Sequence, residues 1–235
     1  MEQAKPWKNL WGMTKMNKLV IIGASGFGRE VAWLVERINA VSPIWNLIGF
    51  VDDNKEIIGQ EINGYKVLGT IDSLEKMKAT YVVCAVGSSS VRKDIIDRVQ
   101  QLNHNLCFAT LIDPTVEKSN YVEIGEGTII CAHNVLTVNI KIGKHCIINL
   151  DCTVGHDVIM DDFVTVYPSV NISGNSKYGE CVELGTGSQI IQGKTVGKGT
   201  VVGAGSVVVK DLPEECTAVG TPCKPIKFHG ESNEN

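Results

Sequence analysis

Apolar residues recur at every sixth position from Tyr121 to Lys210. Written in hexads, the run opens YVEIGE, GTIICA, HNVLTV, NIKIGK, HCIINL and closes GTVVGA, GSVVVK. The fourth residue of all fifteen blocks is apolar, from Ile124, Ile130 and Leu136 through Tyr178 to Val202 and Val208. A period of six suits neither an amphipathic helix nor an alternating strand. It suits a chain wound into coils with three short flat sides, one hexad per side, the fourth residue turned inward. Second residues agree: Val122, Ile140, Cys146, Cys152, Val158, Val164, Val170, Val182 and Ser206 are aliphatic or small, and positions two apart on a strand share a side. The fifth residue is glycine at 125, 143, 155, 179, 185, 197 and 203, which predicts that these glycines make the corners. Three hexads close a coil, so fifteen blocks predict five coils, a prism roughly 24 Å long at the spacing of paired strands. A β-sandwich of short strands would break the phase with irregular turns, and no break occurs.

Upstream the pattern changes. Lys18 to Ile22 (KLVII) reads as a buried strand entering Gly23-Ala24-Ser25-Gly26-Phe27-Gly28, then a helix with Val31, Leu34, Val35 and Ile38 on one face. Strand, glycine turn and helix form a nucleotide-binding opening, because backbone amides and a helix N-terminus can face a phosphate. The spacing is G-x-x-G-x-G, not the dinucleotide G-x-G-x-x-G, and any tight strand-to-helix turn favours glycine, so this motif alone is weakly specific. A second strand, Leu47 to Val51, ends at Asp52-Asp53-Asn54. An acidic residue there can hold a ribose or base; an ordinary polar turn has the same composition. Asp72 to Glu75 has the form of a capping box. Tyr81 to Val86 is a third strand ending at Gly87, and Ser88 to Ser90 open a helix with Val91, Ile95, Val99 and Leu102 on one face. Cys107 to Ile112 reads as the last short strand, and Asp113-Pro114 marks the boundary. The expected architecture is an α/β N-terminal domain with a small parallel Rossmann-like sheet (18–113), followed by a parallel β-helix (114–228). Pro213 cannot donate to a ladder and stops the coil. Residues 231–235, ESNEN, read as a disordered end.

Composition narrows the classes. A net charge of −4 with no Lys/Arg block gives no reason to expect nucleic acid. No apolar run is long enough to span a membrane, and residues 1–17, with Trp7 and Trp11, lack the apolar centre of a signal peptide and read as a short tail. None of the eight cysteines forms a CxxC pair, and several fall at inward hexad positions. They are expected to be packed thiols in a reducing cytoplasm, and no metal is expected.

Three histidines lie in the coil, His133, His145 and His156. The first two open their blocks; His156 closes its block after the corner Gly155 and precedes Asp157. A corner residue points away from the packed interior, towards a cleft or a neighbouring subunit. Histidine is the side chain best poised to take a proton near neutral pH, and an adjacent carboxylate can orient it. On side-chain chemistry alone, a solvated surface histidine is the simpler reading. Cys152 sits near His156 in sequence but at an inward position, which rules it out as a nucleophile.

The stretches LVIIGASGFGREV, IGFVDDN, VVCAVGSS, INLDCTVGHDV, VGAGSVVVKDLP and VGTPCKPI together resemble the bacterial hexapeptide-repeat acetyltransferases that N-acetylate nucleotide-linked amino sugars or O-acetylate sialic acid. The resemblance covers residues 18–228 and implies a left-handed β-helix. It implies acetyl-CoA as co-substrate, bound in a groove between subunits of a homotrimer, and a UDP- or dTDP-linked amino-dideoxy sugar as acceptor, with sialic acid or another sugar hydroxyl as the alternative. It implies His156 as general base, Asp157 as its orienting partner, and Asn149 close to the reacting groups. The amide of Gly174 would meet the thioester carbonyl. Thr186, Gly187, Ala204 and Gly205 would line the pantetheine path, with Lys210, Lys224 and Lys227 near the nucleotide phosphates. Ser25, Phe27, Asp52, Asp53 and Gly87 would hold the sugar nucleotide. One departure stands out: many relatives carry histidine where this chain has Phe27, which offers packing instead of a hydrogen bond.

Three other readings compete. A hydratase resembling the γ-type carbonic anhydrases needs three histidines converging on zinc, whereas His133, His145 and His156 are spaced twelve and eleven apart in coils of eighteen. A dinucleotide oxidoreductase is disfavoured by the glycine order. A scaffolding module without turnover is the reading that remains if His156 is buried or locked.

Overall fold

The computed structural model describes residues 16–77 and 81–230. The readings of Trp7, Trp11 and the ESNEN end lie outside the described residues. The N-terminal unit has four parallel strands, β1 (Asn17–Ile22), β2 (Trp45–Val51), β3 (Tyr81–Cys84) and β4 (Cys107–Phe108), in the order β2-β1-β3-β4. Leu19 to Ile22 are buried on both faces, as expected of a central strand in a covered parallel sheet. Helix α1 (Gly26–Val41) packs with Leu19, Ile21, Val83 and Ala85 on one side. Helix α2 (Ser89–Leu102) packs with Val20, Ile22, Val82 and Cys84 on the other. The chain leaves β1 in one direction for β2 and returns on its other side for β3. The switch point therefore lies between the ends of β1 and β3, where open α/β sheets bind ligands.

The hexads form a three-sided prism with an 18-residue repeat: Ile129 pairs with Ile147, Leu136 with Val154, and Ile142 with Met160. Its first face runs from Leu111–Ile112 to Val201–Val202 and is extended by the hairpin Cys216–Val219 and Lys224–Phe228. The second runs from Glu117–Lys118 to Val207–Val208, and the third from Val122–Ile124 to Thr195–Val196. The six strands of the second face make six coils, not five. Two sides of the extra coil precede Tyr121, and the third side is the single bridge from Val196 to Leu212, beyond Lys210. Leu111–Ile112 pairs with Ile129–Ile130 and is the first rung of the prism, so only Cys107–Phe108 of the expected last strand belongs to the N-terminal sheet. The hexad phase holds there at Ile112 and Val116, but the inward slot on the second face is filled by exposed Lys118, which hid the coil.

The corners also differ from expectation. The left-handed backbone falls on the first residue of each hexad, from Gly127 through His133, Asn139, Asp157 and Asn175 to Gly205, and not on the fifth. The fifth-position glycines serve stacking: a Cβ on Gly155 would sit 2.6 Å from the Gly174 nitrogen, and one on Gly185 2.6 Å from the Ala204 nitrogen. Glycine there lets successive coils approach.

Outward side chains on the first face record what covers them. Leu111, Ile129 and Ile147 are buried in one cluster with Val31, Leu34 and Val35 of α1. Above them the same column turns polar at Thr165 and Glu183, which meet the loop after β3. The N-terminal unit is thus seated on the first face. The vertex between the second and third faces lies across the prism from it.

Candidate active site

His156 projects from that vertex. It ends the corner after Thr153–Val154, and its side chain is 51% exposed. Its Nδ1 lies 2.8 Å from Asp157 Oδ2. Asp157 has the left-handed φ of 59°, which short polar side chains tolerate. Its other oxygen accepts a 3.2 Å bond from Asn139 Nδ2, one coil below. These two bonds hold the Asp157 carboxyl below the ordinary carboxylate range. A carboxylate on Nδ1 favours the tautomer with the proton there, which leaves the Nε2 lone pair outward.

Gly174 occupies the equivalent corner one coil above. A Cβ on it would fall 2.5 Å from His156 Nε2, so the imidazole rests on bare backbone. The Gly174 carbonyl accepts from Gly193, while its N–H has no acceptor among the described residues. Cys152 is fully buried, and burial pushes its thiol up to about 11; such a thiol is inert at neutral pH.

The other expected site residues fall elsewhere. Lys210 shares the vertex of His156, three coils up. Asn149, Thr186, Gly187, Ala204 and Gly205 line the edge between the first and second faces. Asn149 Oδ1 accepts the N–H of Leu150. The width of the second face separates it from His156 in one chain, so the structure does not bring the two sets together within a protomer. The histidines occupy three different edges. His133 lies on the first-to-second edge and His156 on the second-to-third. His145 lies on the third-to-first, buried between Phe108 and Phe163 at 4.6 and 5.2 Å. His145 corrects the expectation that corner residues face outward: the N-terminal unit covers this one. Among the described residues no three His, Cys, Asp or Glu side chains group as metal ligands.

At the N-terminal switch point, Ser25 and Gly87 flank the ends of β1 and β3. Ser25 precedes α1, is exposed, and makes no capping bond; the first turn of α1 has no acidic residue. That helix N-terminus is open to an anion. Phe27 is half-buried against the cluster of Ile21, Val31 and Phe50. Both acidic residues after β2 are engaged within the chain. Asp52 accepts from Ala24 N at 2.8 Å and Asn54 N at 2.9 Å, tying the first loop to the second. Asp53 accepts from Ile71 N and from Arg98 at 2.7 Å.

Sequence reasoning passed over Arg92, Tyr167 and Glu183, which join the switch-point loop to the prism. Glu183 Oε1 accepts from Ser89 N at 2.7 Å and Ser89 Oγ at 2.9 Å. The prism thereby puts a carboxylate on the N-terminus of α2, which leaves α1 as the open one of the two. The available signal was an acidic residue at the outward slot of a column that is apolar further down.

Among the described residues no helix is long and apolar enough to cross a membrane. Residues 18–99 match the PglD N-terminal domain family. The acetyltransferase domain of PglB from Neisseria gonorrhoeae FA1090, solved with acetyl coenzyme A, is 33% identical with a TM-score of 0.82, covering 90% of this chain and 100% of that one. WeeI from Acinetobacter baumannii AYE is 31% identical with a TM-score of 0.79, over 90% and 100%. PerB from Caulobacter crescentus, solved with CoA and GDP-perosamine, is 28% identical with a TM-score of 0.78, over 90% and 98%. A serine acetyltransferase of Buchnera aphidicola is 37% identical over 91 residues, and the chain spans 35% of that relative's length.

Proposed function

The chain belongs to the hexapeptide-repeat sugar acetyltransferases, the family of the PglB acetyltransferase domain, and from that premise we propose that it moves the acetyl group of acetyl-CoA to the amino group of a nucleotide-linked amino sugar, with His156 as general base. The observation that carries this reading is the His156–Asp157 pair, exposed at a prism vertex beside the bare backbone of Gly174. As the acceptor nitrogen bonds to the thioester carbon, His156 Nε2 takes the ammonium proton that develops on it. The Gly174 N–H faces the oxyanion of the tetrahedral stage. The C–S bond then breaks and CoA leaves as a thiolate, which recovers the proton. Holding both substrates in place supplies much of the rate.

The acceptor half of this site comes from another copy. In one chain the switch point with Ser25, Phe27, Asp52, Asp53 and Gly87 sits on the first face, across the prism from His156. A threefold axis parallel to the prism keeps coils level and sets the first-to-second edge of one protomer beside the His156 vertex of the next. Asn149 and His156 share one coil; Gly174 lies one coil up, Thr186 and Gly187 two, Ala204, Gly205 and Lys210 three. The groove between the protomers then offers acetyl-CoA a path about 14 Å tall, rising from His156. In this arrangement the second face turns to the axis. Above Glu117 its outward column is Val135, Thr153, Asn171, Gln189 and Val207, without a charge, whereas the third face carries Glu123, Lys141 and Lys177. Charge depletion marks surfaces that associate.

Thiol release from acetyl-CoA, measured with UDP-, dTDP- and GDP-linked amino sugars and with free sialic acid, tests the reading. Turnover with an amino-sugar nucleotide is expected. Turnover with sialic acid alone moves the assignment to O-acetylation, and release with none of them overturns it.

A further inference from the structure

Arg92, in the first turn of α2, is 1% exposed. Its guanidinium leaves the helix and enters the seam between the two units. Nε donates to His145 O at 2.8 Å, Nη1 to Val86 O at 2.8 Å and Gly87 O at 3.0 Å, and Nη2 to Phe163 O at 2.7 Å and Thr165 Oγ1 at 2.8 Å. Thr165 Oγ1 in turn donates to Gly87 O at 2.8 Å. One planar fork thus grips the loop after β3 and two corners of the prism at once. Among the described residues no carboxylate reaches this cation. Burial pulls its pKa down, and Glu183 opposes that from a distance.

Glu183 closes the other side of the same loop. It takes Ser89 N and Oγ on one oxygen and the Tyr167 hydroxyl, at 3.1 Å, on the other. Burying a charge without a direct counter-ion is costly, and a domain seam can be closed with apolar side chains, as Leu111, Ile129 and Ile147 close it lower down. Apolar packing tolerates sliding; a guanidinium fork with five short bonds fixes direction and height. The costly device occurs where the seam meets Gly87, one lip of the switch point. The neighbouring Lys93–Glu180 pair, at 3.4 Å and partly exposed, is of the weak surface kind.

We infer that Arg92 and Glu183 are positioning residues that lock the Val86–Ser89 lip of the acceptor site at one height on the prism, and so set where the acceptor amine lies against the neighbouring protomer's imidazole. The inference rests on the acetyl-transfer reading. It separates two properties that a purely structural role would not: affinity for each substrate, and the rate once both are bound.

The test uses the full chain, whichever UDP-, dTDP- or GDP-linked amino sugar turns over in the panel above, the matching nucleoside diphosphate (UDP, dTDP or GDP) and CoA. Glu183→Gln and Thr165→Val keep volume; the first removes the carboxylate charge that Ser89 and Tyr167 meet, the second removes both bonds of the Thr165 hydroxyl, and Arg92→Lys keeps the charge and removes the fork. In the first two, kcat falls about tenfold, and in Arg92→Lys about a hundredfold, the scale of a 1 Å misplacement. Calorimetric affinities for the nucleoside diphosphate and for CoA stay at wild-type values. Wild-type kcat in Glu183→Gln and Thr165→Val, with or without a lowered melting temperature, would overturn the inference and leave the acetyl-transfer reading standing, even if Arg92→Lys fails to fold. A wild-type chain that acetylates no acceptor would overturn the reading itself and this role with it.

Discussion

His156 and Gly87 lie on opposite sides of the prism: Gly87 is bonded to Thr165 on the first face, and His156 projects from the vertex between the other two. A chain alone therefore cannot present the proposed acceptor site to its own imidazole. Mixed assemblies make this measurable. Ser25→Trp fills the exposed mouth of the proposed acceptor site without entering the core, and His156→Ala removes the proposed base. Each homo-oligomer is expected to be inactive. Refolded together at equal concentrations, they should recover about a quarter of wild-type activity, because a random trimer pairs one intact half-site of each kind in about one site of four. No recovery would place the reaction within one chain.

Gly174→Ala tests the contact between coils. The added methyl would enter the space of His156 Nε2, and the ring would have to swing off the backbone it rests on. The expected result is a kcat lowered about ten- to a hundredfold with little change in melting temperature. Steady-state kinetics with a thermal melt checks both.

Asp157 combines an orienting role with a left-handed backbone at φ 59°. Asparagine tolerates that conformation, alanine less well. Asp157→Asn should keep wild-type stability and lose about ten- to a hundredfold in kcat. Asp157→Ala should show the same loss in kcat and melt at a lower temperature. Equal stability of the two variants would contradict the backbone argument; unchanged kcat would contradict the orienting one.

His145 makes the seam between the units sensitive to acid. Burial against Phe108 and Phe163 depresses its pKa from 6.5 to about 4, with Glu126 and Asp162 opposing and Arg92 and Lys144 assisting. Between those values the unfolded chain binds the proton and the folded chain does not. This contribution to stability is complete above about pH 6.5 and is lost as pH falls to about 4, by on the order of 3 kcal/mol. Urea midpoints at pH 7 and pH 5 should differ by more in the wild type than in His145→Phe, which keeps a ring but cannot titrate. Equal differences would refute this.

How much of this was legible in the sequence follows from what each signal reports. The prism was legible because its inward slots repeat in phase, and the His156–Asp157 corner because its motif is continuous. The first coil is hidden by Lys118, since the end rung of the prism leaves its inward slot open to solvent. Glycine suggests a turn, so the fifth position of the hexad reads as the corner. The turn conformation is instead borne by His133, Asn139, Asp151 and their equivalents, and glycine marks the close approach of coils. Arg92 and Glu183 were invisible for another reason. An arginine on a helix and an acid on a strand read as solvated, and only the docking of two units turns them inward.

Acetyl transfer with His156 as the proposed base can be tested directly. The direct measurement is acetyl transfer by His156→Ala beside its affinity for acetyl-CoA. The expected result is a kcat lowered by about 10² to 10⁴, with acetyl-CoA bound at wild-type affinity. Turnover at the wild-type rate in that variant would contradict the account.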